Sequence, residues 1–411
     1  MIWLLGIYMW LCIHRPFEVW MWLGALQVER LFMAVLLVAW AVYPGKGGTT
    51  NRSHGALAFF TLALYGAWLS SPYSDYKGSQ DTMDLYWKVV VFYVLVVTSV
   101  RTEANLRLLL LLFLAANAVY MLHSYYEYLC GRLQWRMGVS RMMGVDITYG
   151  DPNAFGATLL YTLPLLVPFW NERKLPRWLI VGYALLASFC ILRTNSRAGF
   201  VGLAVWGMLF FVFNSRSKGK AVALCAALGL AAGVAALAVL PPETTDRIRT
   251  LFDPSAGPAN AQQSASGRWA GFEEGLKVWA QSPLFGGGPA TFAVTTGRGG
   301  QAHNLYGQTL SEVGLVGAIG LGLLVMCFFR NWGEARRLTG AVGGGPPGDF
   351  AYQAARALGF MCVLLLVMGW AGHNLFRYNW PWFAAFQACA VHCLRQRHAE
   401  AWAWQPRLAW A

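Results

Sequence analysis

The sequence predicts an all-α polytopic membrane protein with about 12 transmembrane helices. Of its 411 residues, 57% are hydrophobic and only 12% are charged, whereas soluble domains carry about 25% charged residues. Apolar stretches of about 20 residues, the length that spans a bilayer, recur along the chain. Glycine, which lets membrane helices approach closely, and tryptophan, which favours the headgroup level, are both abundant.

About twelve apolar segments account for the predicted helices. They are residues 2–13, 19–43, 55–70, 88–100, 105–129, 154–170, 178–192, 198–213, 221–241, 304–329, 356–371 and 379–394. The second segment contains Glu29 and Arg30, so we expect it to be kinked or partly interfacial. The first residues lack the basic region and the small-residue cleavage site of a signal peptide, and we expect them to remain as a helix.

Basic residues predict which loops face the cytoplasm, because lysine and arginine collect in short cytoplasmic loops. Loops with at least two such residues are 44–54, 101–107, 171–177, 214–220, 330–355 and the tail from Arg395, which makes both termini cytoplasmic. The outward segments are then 71–87, 130–153, 193–197, 242–303 and 372–378. The same bias explains the net charge of +13. No lysine- and arginine-rich arm is present, so no nucleic-acid partner is predicted.

The predicted organisation has three parts. Residues 1–241 form about nine transmembrane helices, residues 242–303 a large periplasmic loop, and residues 304–411 about three helices with a cytoplasmic tail. The loop is expected to start with a short helix, PPETTDRIRTLF, and to continue through a polar stretch. An amphipathic helix then begins at Arg268, ends at Pro283 and carries Trp269 on its apolar face. The following Gly-Gly-Gly-Pro is interpreted as a turn rather than a phosphate-binding loop.

The outward segments contain ten arginines, among them Arg136. The orientation of the protein in the membrane does not require arginines on this side. Arginine presents a planar fork of donors that suits phosphate oxygens. We therefore predict a binding site for a lipid-linked diphosphate at this face, with Arg193, Arg197 and Arg268 as candidate ligands. For any single arginine, contact with lipid headgroups is the simpler explanation.

Imidazole is the usual proton-transfer group near neutral pH, which makes His303 the candidate catalytic base. Supporting candidates accompany it on the same face or follow it along the chain: Asn304, Glu312, Asp151, Asn153, His373 and Arg377. Helix capping alone is an adequate explanation for Asp151 and Asn153. No His, Cys or Asp set has the spacing of metal ligands, so neither a metal nor another cofactor is predicted.

Four motifs in order resemble the O-antigen ligase and polymerase superfamily. They are Ser-Arg-x-Gly at 196–199, Ser-Gly-Arg-Trp at 266–269, Pro-Leu-Phe-Gly-Gly-Gly at 283–288, and Ala-His-Asn-x-Tyr at 302–306 followed by Glu-x-Gly-x-x-Gly at 312–317. Asp-Pro-Asn at 151–153 is also similar to that family. The resemblance covers about residues 140–330.

The resemblance implies a metal-independent, GT-C-type glycosyltransferase of the bacterial inner membrane, with its active site facing the periplasm. The implied donor is a glycan linked to undecaprenyl diphosphate, and the implied acceptor is the lipid A–core oligosaccharide. By the family pattern, Arg197 and Arg268 hold the diphosphate and His303 takes the proton from the acceptor hydroxyl, with inversion. Two alternatives stay open: a polymerase of O-antigen or exopolysaccharide that uses the same donor, and a transporter of the lipid-linked glycan.

Overall fold

The computed structural model describes residues 1–136, 139–172, 175–215, 259–297, 300–341 and 348–403, with residues 217, 219, 220, 222, 223 and 249 between them. The described chain is a helical bundle with one small β-hairpin. Its helices are α1 (Ile2–His14), α2 (Pro16–Val19), α3 (Met21–Ala25), α4 (Val28–Ala41), α5 (Arg52–Ser70), α6 (Lys77–Ser99), α7 (Glu103–Leu129), α8 (Pro152–Thr162), α9 (Leu166–Glu172), α10 (Arg177–Arg193), α11 (Arg197–Asn214), α12 (Ala259–Gln281), α13 (Phe292–Thr296), α14 (Leu305–Ala341), α15 (Phe350–Gly369) and α16 (Asn379–Ala403). A 3-10 turn, Leu163–Leu165, joins α8 to α9.

Long apolar helices confirm the membrane class. Six helical stretches within the described residues have the length and hydropathy to cross a bilayer: Lys77–Ser99, Glu103–Leu129, Pro152–Glu172, Arg197–Asn214, Leu305–Gly340 and Phe350–Gly369. The predicted number of about 12 spans stays a prediction. The predicted segment 221–241 and the predicted short helix at the start of the outer loop both lie almost entirely outside the described residues.

Several predicted boundaries are wrong. The stretch 77–87, predicted as outward loop, is the first part of α6, and the predicted inner loop 330–355 is partly occupied by α14 and α15. The segment 19–43 is divided among α2, α3 and α4, with Gln27 at a φ of 50°, which confirms the predicted kink. Helix α12 begins at Ala259 rather than at Arg268, although it ends before Pro283 as predicted.

A hairpin corrects the purely α-helical prediction. Strands β1 (Leu133–Arg136) and β2 (Val139–Met142) pair antiparallel in the predicted outward segment 130–153. Arg141 of β2 is buried and anchors the hairpin, because its guanidinium donates to the Thr194 carbonyl at 2.8 Å and to Asn153 Oδ1 at 2.9 Å. Arg136, at the far end of β1, is exposed.

The core of the bundle lies around α15 and α16. Trp382 of α16 is fully buried, with its ring centroid 4.4 Å from that of Phe92 on α6, and Phe383 and Phe386 pack on Phe113 of α7. Helix α14 contacts α5, α12, α15 and α16. Close packing of this kind holds membrane helices together, since lipid offers no hydrophobic gain for their association. The central pair α15–α16 therefore fixes the turn between them, residues 370–378, at one end of the bundle.

The loops separate into two ends as the charge pattern predicts. Ion pairs join the basic loops at one end: Arg52 to Glu334 at 3.1 Å, Arg395 to Glu334 at 2.6 Å, Arg397 to Asp349 at 2.8 Å, and Arg107 to Glu172. The β-hairpin, the turn 193–197 and the turn 370–378 gather at the other end. That this second end faces the periplasm stays a prediction.

Candidate functional site

A cavity of about 250 Å³ opens at the end of the bundle that is predicted to face outward. Five of the sequence-predicted site residues line it: Asp151, Asn153, His303, His373 and Arg377. They come from three distant parts of the chain: the N-terminus of α8, the segment before α14, and the turn between α15 and α16. The fold thus brings together residues that the sequence separates by more than 200 positions.

The conformation of His303 is set by its neighbour Asn304. Asn304 is fully buried, and its Oδ1 caps α14 by accepting from the backbone N–H groups of Tyr306 at 2.9 Å and Gly307 at 3.1 Å. Its Nδ2 donates to the Trp370 carbonyl at 3.4 Å, which ties the start of α14 to the end of α15. His303 itself has a φ of 47°, in the left-handed region. Such a conformation in a non-glycine residue is more common at functional sites than elsewhere.

The His303 and His373 rings lie edge to face, with centroids 5.3 Å apart. Loss of contact with water lowers the pKa of His303; Asp151 opposes this change, and Arg136 and Arg268 lower the pKa further. Burial lowers the pKa of His373 to about 3, with help from Arg377 and His303. Both imidazoles are therefore neutral at pH 7, which is the form in which histidine accepts a proton.

Asn153 joins three elements beside the cavity. Its Oδ1 accepts from the Arg141 guanidinium at 2.9 Å and from the Ser196 hydroxyl at 2.8 Å, so it links α8 to the β-hairpin and to the start of α11. Asp151 caps α8, with Oδ1 accepting from the backbone N–H of Asn153 at 2.9 Å. These contacts give Asp151 and Asn153 a structural role and also hold them in the cavity wall.

The three predicted diphosphate ligands are placed differently. Arg197 begins α11 and is 8% exposed, and the next residue, Ala198, lines the cavity. Arg268 of α12 lies near enough to His303 to lower its pKa. Helix α12 approaches α14 closely at this point, because a Cβ on Gly271 would lie 2.3 Å from the Ala302 carbonyl oxygen. Arg193 is directed elsewhere, since its Nε donates to the Tyr128 hydroxyl at 2.8 Å and its guanidinium covers that ring.

Glu312 organises the loop before α13 and is not among the residues that line the cavity. It is buried, and its carboxylate accepts from the Ala290 N–H at 3.0 Å, the Phe292 N–H at 3.4 Å and Gln308 Nε2 at 3.2 Å. The Gly287 and Gly288 N–H groups donate to the carbonyls of Ser311 and Glu312. These N–H groups are therefore not available to a phosphate, which confirms the interpretation of the glycines as a turn.

Sequence reasoning did not nominate Arg136, Thr148, Tyr161 and Asn374, which also line the cavity. Arg136 was one of ten outward arginines, and only the register of the hairpin distinguishes it from the others. Asn374 has a signal in the sequence, because His373-Asn374 repeats the His303-Asn304 pair. The described residues contain no group of three or more His, Cys, Asp and Glu that could hold a metal ion.

Comparison with known proteins identifies one family. A family model described as O-antigen ligase matches residues 182–322, a region that extends from α10 into α14 and includes Arg193, Arg197, Arg268 and His303. The match confirms the resemblance to the O-antigen ligase and polymerase superfamily. A comparison with curated protein sequences finds no match.

Proposed function

We propose that this chain, whose residues 182–322 match the family model described as O-antigen ligase, is an O-antigen ligase-like glycosyltransferase of the bacterial inner membrane. Its donor is a glycan on undecaprenyl diphosphate, and its acceptor is the lipid A–core oligosaccharide at the periplasmic face. The observation that carries this proposal is a neutral imidazole, His303, in a cavity at whose edge arginines collect.

Transfer requires a base for the acceptor hydroxyl, which is a poor nucleophile. His303 takes the proton while the hydroxyl oxygen attacks the anomeric carbon of the donor sugar. The new glycosidic bond forms as the bond from the anomeric carbon to the diphosphate oxygen breaks, and the electron pair leaves with the diphosphate. A positioned base contributes typically about 10²–10⁴-fold to such a step. Attack from the side opposite the leaving group inverts the anomeric configuration.

The leaving diphosphate gains negative charge as the bond breaks. Arg197 and Arg268 stabilise this charge, because guanidinium groups fixed beforehand stabilise a developing anion without a cost of reorganisation. Arg268 also keeps His303 unprotonated before the reaction, since two neighbouring cations repel each other. Asp151 favours the protonated imidazole that forms during the reaction.

The experiment is glycan transfer by purified full-length protein with lipid-linked donor and lipid A–core acceptor. We expect transfer by the wild type and a loss of at least about 100-fold in His303→Ala, because the base is removed. Arg197→Ala and Arg268→Ala lose transfer as well. Each variant is checked for native elution on size-exclusion chromatography.

The outcomes separate the alternatives. Extension of one lipid-linked repeat by another, with no transfer to lipid A–core, indicates a polymerase. Movement of the donor across liposomes without glycan transfer indicates a transporter. Wild-type turnover by His303→Ala excludes His303 from the mechanism.

A further inference from the structure

Two guanidinium groups in the cavity, those of Arg136 and Arg377, have no anionic partner in the described part of the chain. Among the residues that the structure describes, no carboxylate lies within ion-pairing distance of either one. Of the described residues that line the cavity, Asp151 alone has a carboxylate, and it caps α8. The cavity therefore has two positively charged groups, Arg136 and Arg377, and one negatively charged group, Asp151, which already accepts a hydrogen bond as a helix cap. Its net charge is positive, because both histidines are neutral. Such an imbalance around an open cavity favours an anionic ligand.

Arg377 is held in a geometry that leaves its donors free. Its guanidinium lies over the ring of Tyr149, 4.6 Å from the centroid. The attraction between a cation and an aromatic face does not use the hydrogen-bond donors of the guanidinium, so its N–H groups stay available. Arg15 lies over the same ring at 5.5 Å, but it is paired with Glu18 at 2.7 Å. Of the two cations on Tyr149, only Arg377 lacks a carboxylate.

The support beneath Arg377 is rigid. The Tyr149 N–H donates to Asp146 Oδ2 at 2.5 Å, and the other oxygen of Asp146 accepts from the Tyr120 hydroxyl at 2.5 Å. Glu18 accepts from the backbone N–H groups of Ile147 at 2.8 Å and Thr148 at 2.9 Å. Two carboxylates thus fix the short segment 146–149, and through Tyr149 they fix the position of Arg377.

Arg136 reaches the cavity from the hairpin. It is the last residue of β1, paired in register with Val139, and its exposed side chain lines the cavity wall. Arg141 holds the hairpin in place from β2. Arg136 is close enough to His303 to affect its protonation. Arg136 therefore links the hairpin to the surroundings of the candidate base. Strand β1 lies outside the residues that the family model matches.

We propose that Arg136 and Arg377 form a binding site for a phosphate-class group of the substrate, on elements other than those that carry Arg197 and Arg268. One guanidinium comes from the hairpin and the other from the turn between α15 and α16. The group is either the pyrophosphate of the lipid carrier or a phosphate on the acceptor. The identity of the bound substrate group rests on the proposed function. The presence of an anion site does not.

The first test measures binding without catalysis. Full-length protein in lipid nanodiscs is titrated with inorganic pyrophosphate at low ionic strength. We expect saturable binding by the wild type and at least about tenfold weaker binding by Arg136→Gln and by Arg377→Gln, because each loses charge-assisted hydrogen bonds. Arg136→Lys, which keeps the charge, recovers part of the binding. The matched control is Arg132→Gln at the base of the same hairpin, outside the cavity, which binds as the wild type does.

The second test identifies the source of the anion from steady-state kinetics. An increase of about tenfold in KM for the lipid-linked donor assigns the pair to the carrier pyrophosphate. The same increase in KM for the acceptor, reproduced in the wild type by an acceptor stripped of its phosphates, assigns the pair to the acceptor. Both results support the site.

The proposal is overturned if pyrophosphate does not bind the wild type, or if folded Arg136→Gln and Arg377→Gln bind it within threefold of the wild type. Thermal melts establish folding, and Arg377→Met, which keeps a long side chain without its charge, replaces Arg377→Gln if that variant is unstable. If pyrophosphate binding depends on Arg136 and Arg377 but the wild type transfers no glycan, the anion site is supported and the proposed function is rejected instead.

Discussion

The left-handed backbone at His303 has a consequence for how the imidazole is positioned. Because Asn304 caps α14 and also bonds the Trp370 carbonyl, the chain cannot relax at residue 303 without releasing the end of α15. His373 then packs its ring edge to face against His303. If His303 is the proposed base, an imidazole fixed on two sides loses little conformational entropy when the substrate arrives.

The pH dependence of transfer follows from the charges around His303. Burial lowers its pKa below the ordinary value of 6.5, so the neutral imidazole predominates at pH 7 and is lost as the pH falls through the lowered pKa. Asp151→Asn removes the carboxylate that raises this pKa while keeping a residue that caps helices. We expect its acid limb to move to lower pH. In Arg136→Gln a cation that lowers the pKa is gone, and the limb moves to higher pH.

The measurement is the pH profile of kcat/KM between pH 4.5 and 8 for the wild type and both variants. Arg132→Gln, an arginine that does not line the cavity, serves as the control and keeps the wild-type profile. Identical acid limbs in all four proteins would show that another group controls the low-pH loss.

The sequence could nominate site residues by chemical type but not by distance. His303, His373 and Arg377 were identifiable because histidine and arginine carry recognisable chemistry near predicted helix ends. Arg136 could not be chosen in this way, since its place depends on the pairing of β1 with β2. Nothing in the sequence distinguished the carboxylate of Glu312, which supports a loop, from one that contacts substrate.

At the scale of elements, the break in α14 explains two of the sequence motifs. Gly314 has a φ of 62° and a ψ of −162°, which interrupts the helix. The break leaves backbone groups without helical partners, and the segment 283–288 satisfies them. Leu315 N–H donates to the Pro283 carbonyl at 2.9 Å, and Val316 N–H to the Leu284 carbonyl at 3.1 Å. Pairing of this kind is required in a membrane, where water cannot compensate.

Gly314→Ala tests this arrangement. The backbone region of Gly314 is accessible essentially to glycine alone, and an added Cβ would lie 2.4 Å from the Leu284 carbonyl oxygen. We expect a destabilisation of about 3 kcal/mol, from strain and from displacement of the paired loop. The measurement is the midpoint of thermal unfolding in detergent, followed by an assay of transfer.

Gly322→Ala is the matched control, because it lies on the same helix with open space around the added Cβ. Replacing glycine with alanine inside a helix is favourable by about 0.5–1 kcal/mol. The two variants should therefore change stability in opposite directions. Equal midpoints for both would mean that the break does not depend on glycine.

Hydropathy predicted where helices exist better than where they end. A run of apolar residues marks only the apolar part of a helix. Helix α6, however, begins with a stretch that contains the polar residues Lys77, Asp81 and Asp84, and α14 continues to Ala341 beyond its apolar part. The hairpin was missed because its strands are only four residues each; β1 alternates apolar and polar side chains over Leu133–Arg136, but β2 does not over Val139–Met142. Helix α12 contacts the bundle through Gly271 and Gly275, while Trp269 of the predicted apolar face is 54% exposed.

For the whole molecule, the separation of the two ends carries the orientation argument. The basic loops share ion pairs that bring five elements together around Glu334, Asp349 and Glu103. The cavity lies at the opposite end. Because short basic loops stay in the cytoplasm, we expect the cavity to open to the periplasm, as the proposed function requires.

Cys130 is a native reporter of this orientation. It follows α7 at the cavity end and is exposed, whereas the other cysteines in the described part of the chain are buried. We expect a membrane-impermeant maleimide to label Cys130 in spheroplasts with an intact inner membrane. Cys225, which lies outside the described residues, is replaced by serine in every protein. Gly333→Cys, introduced together with Cys130→Ser, places an exposed thiol at the opposite end and should be labelled only after the membrane is permeabilised. The reverse pattern would put the cavity in the cytoplasm, where a periplasmic ligase cannot act.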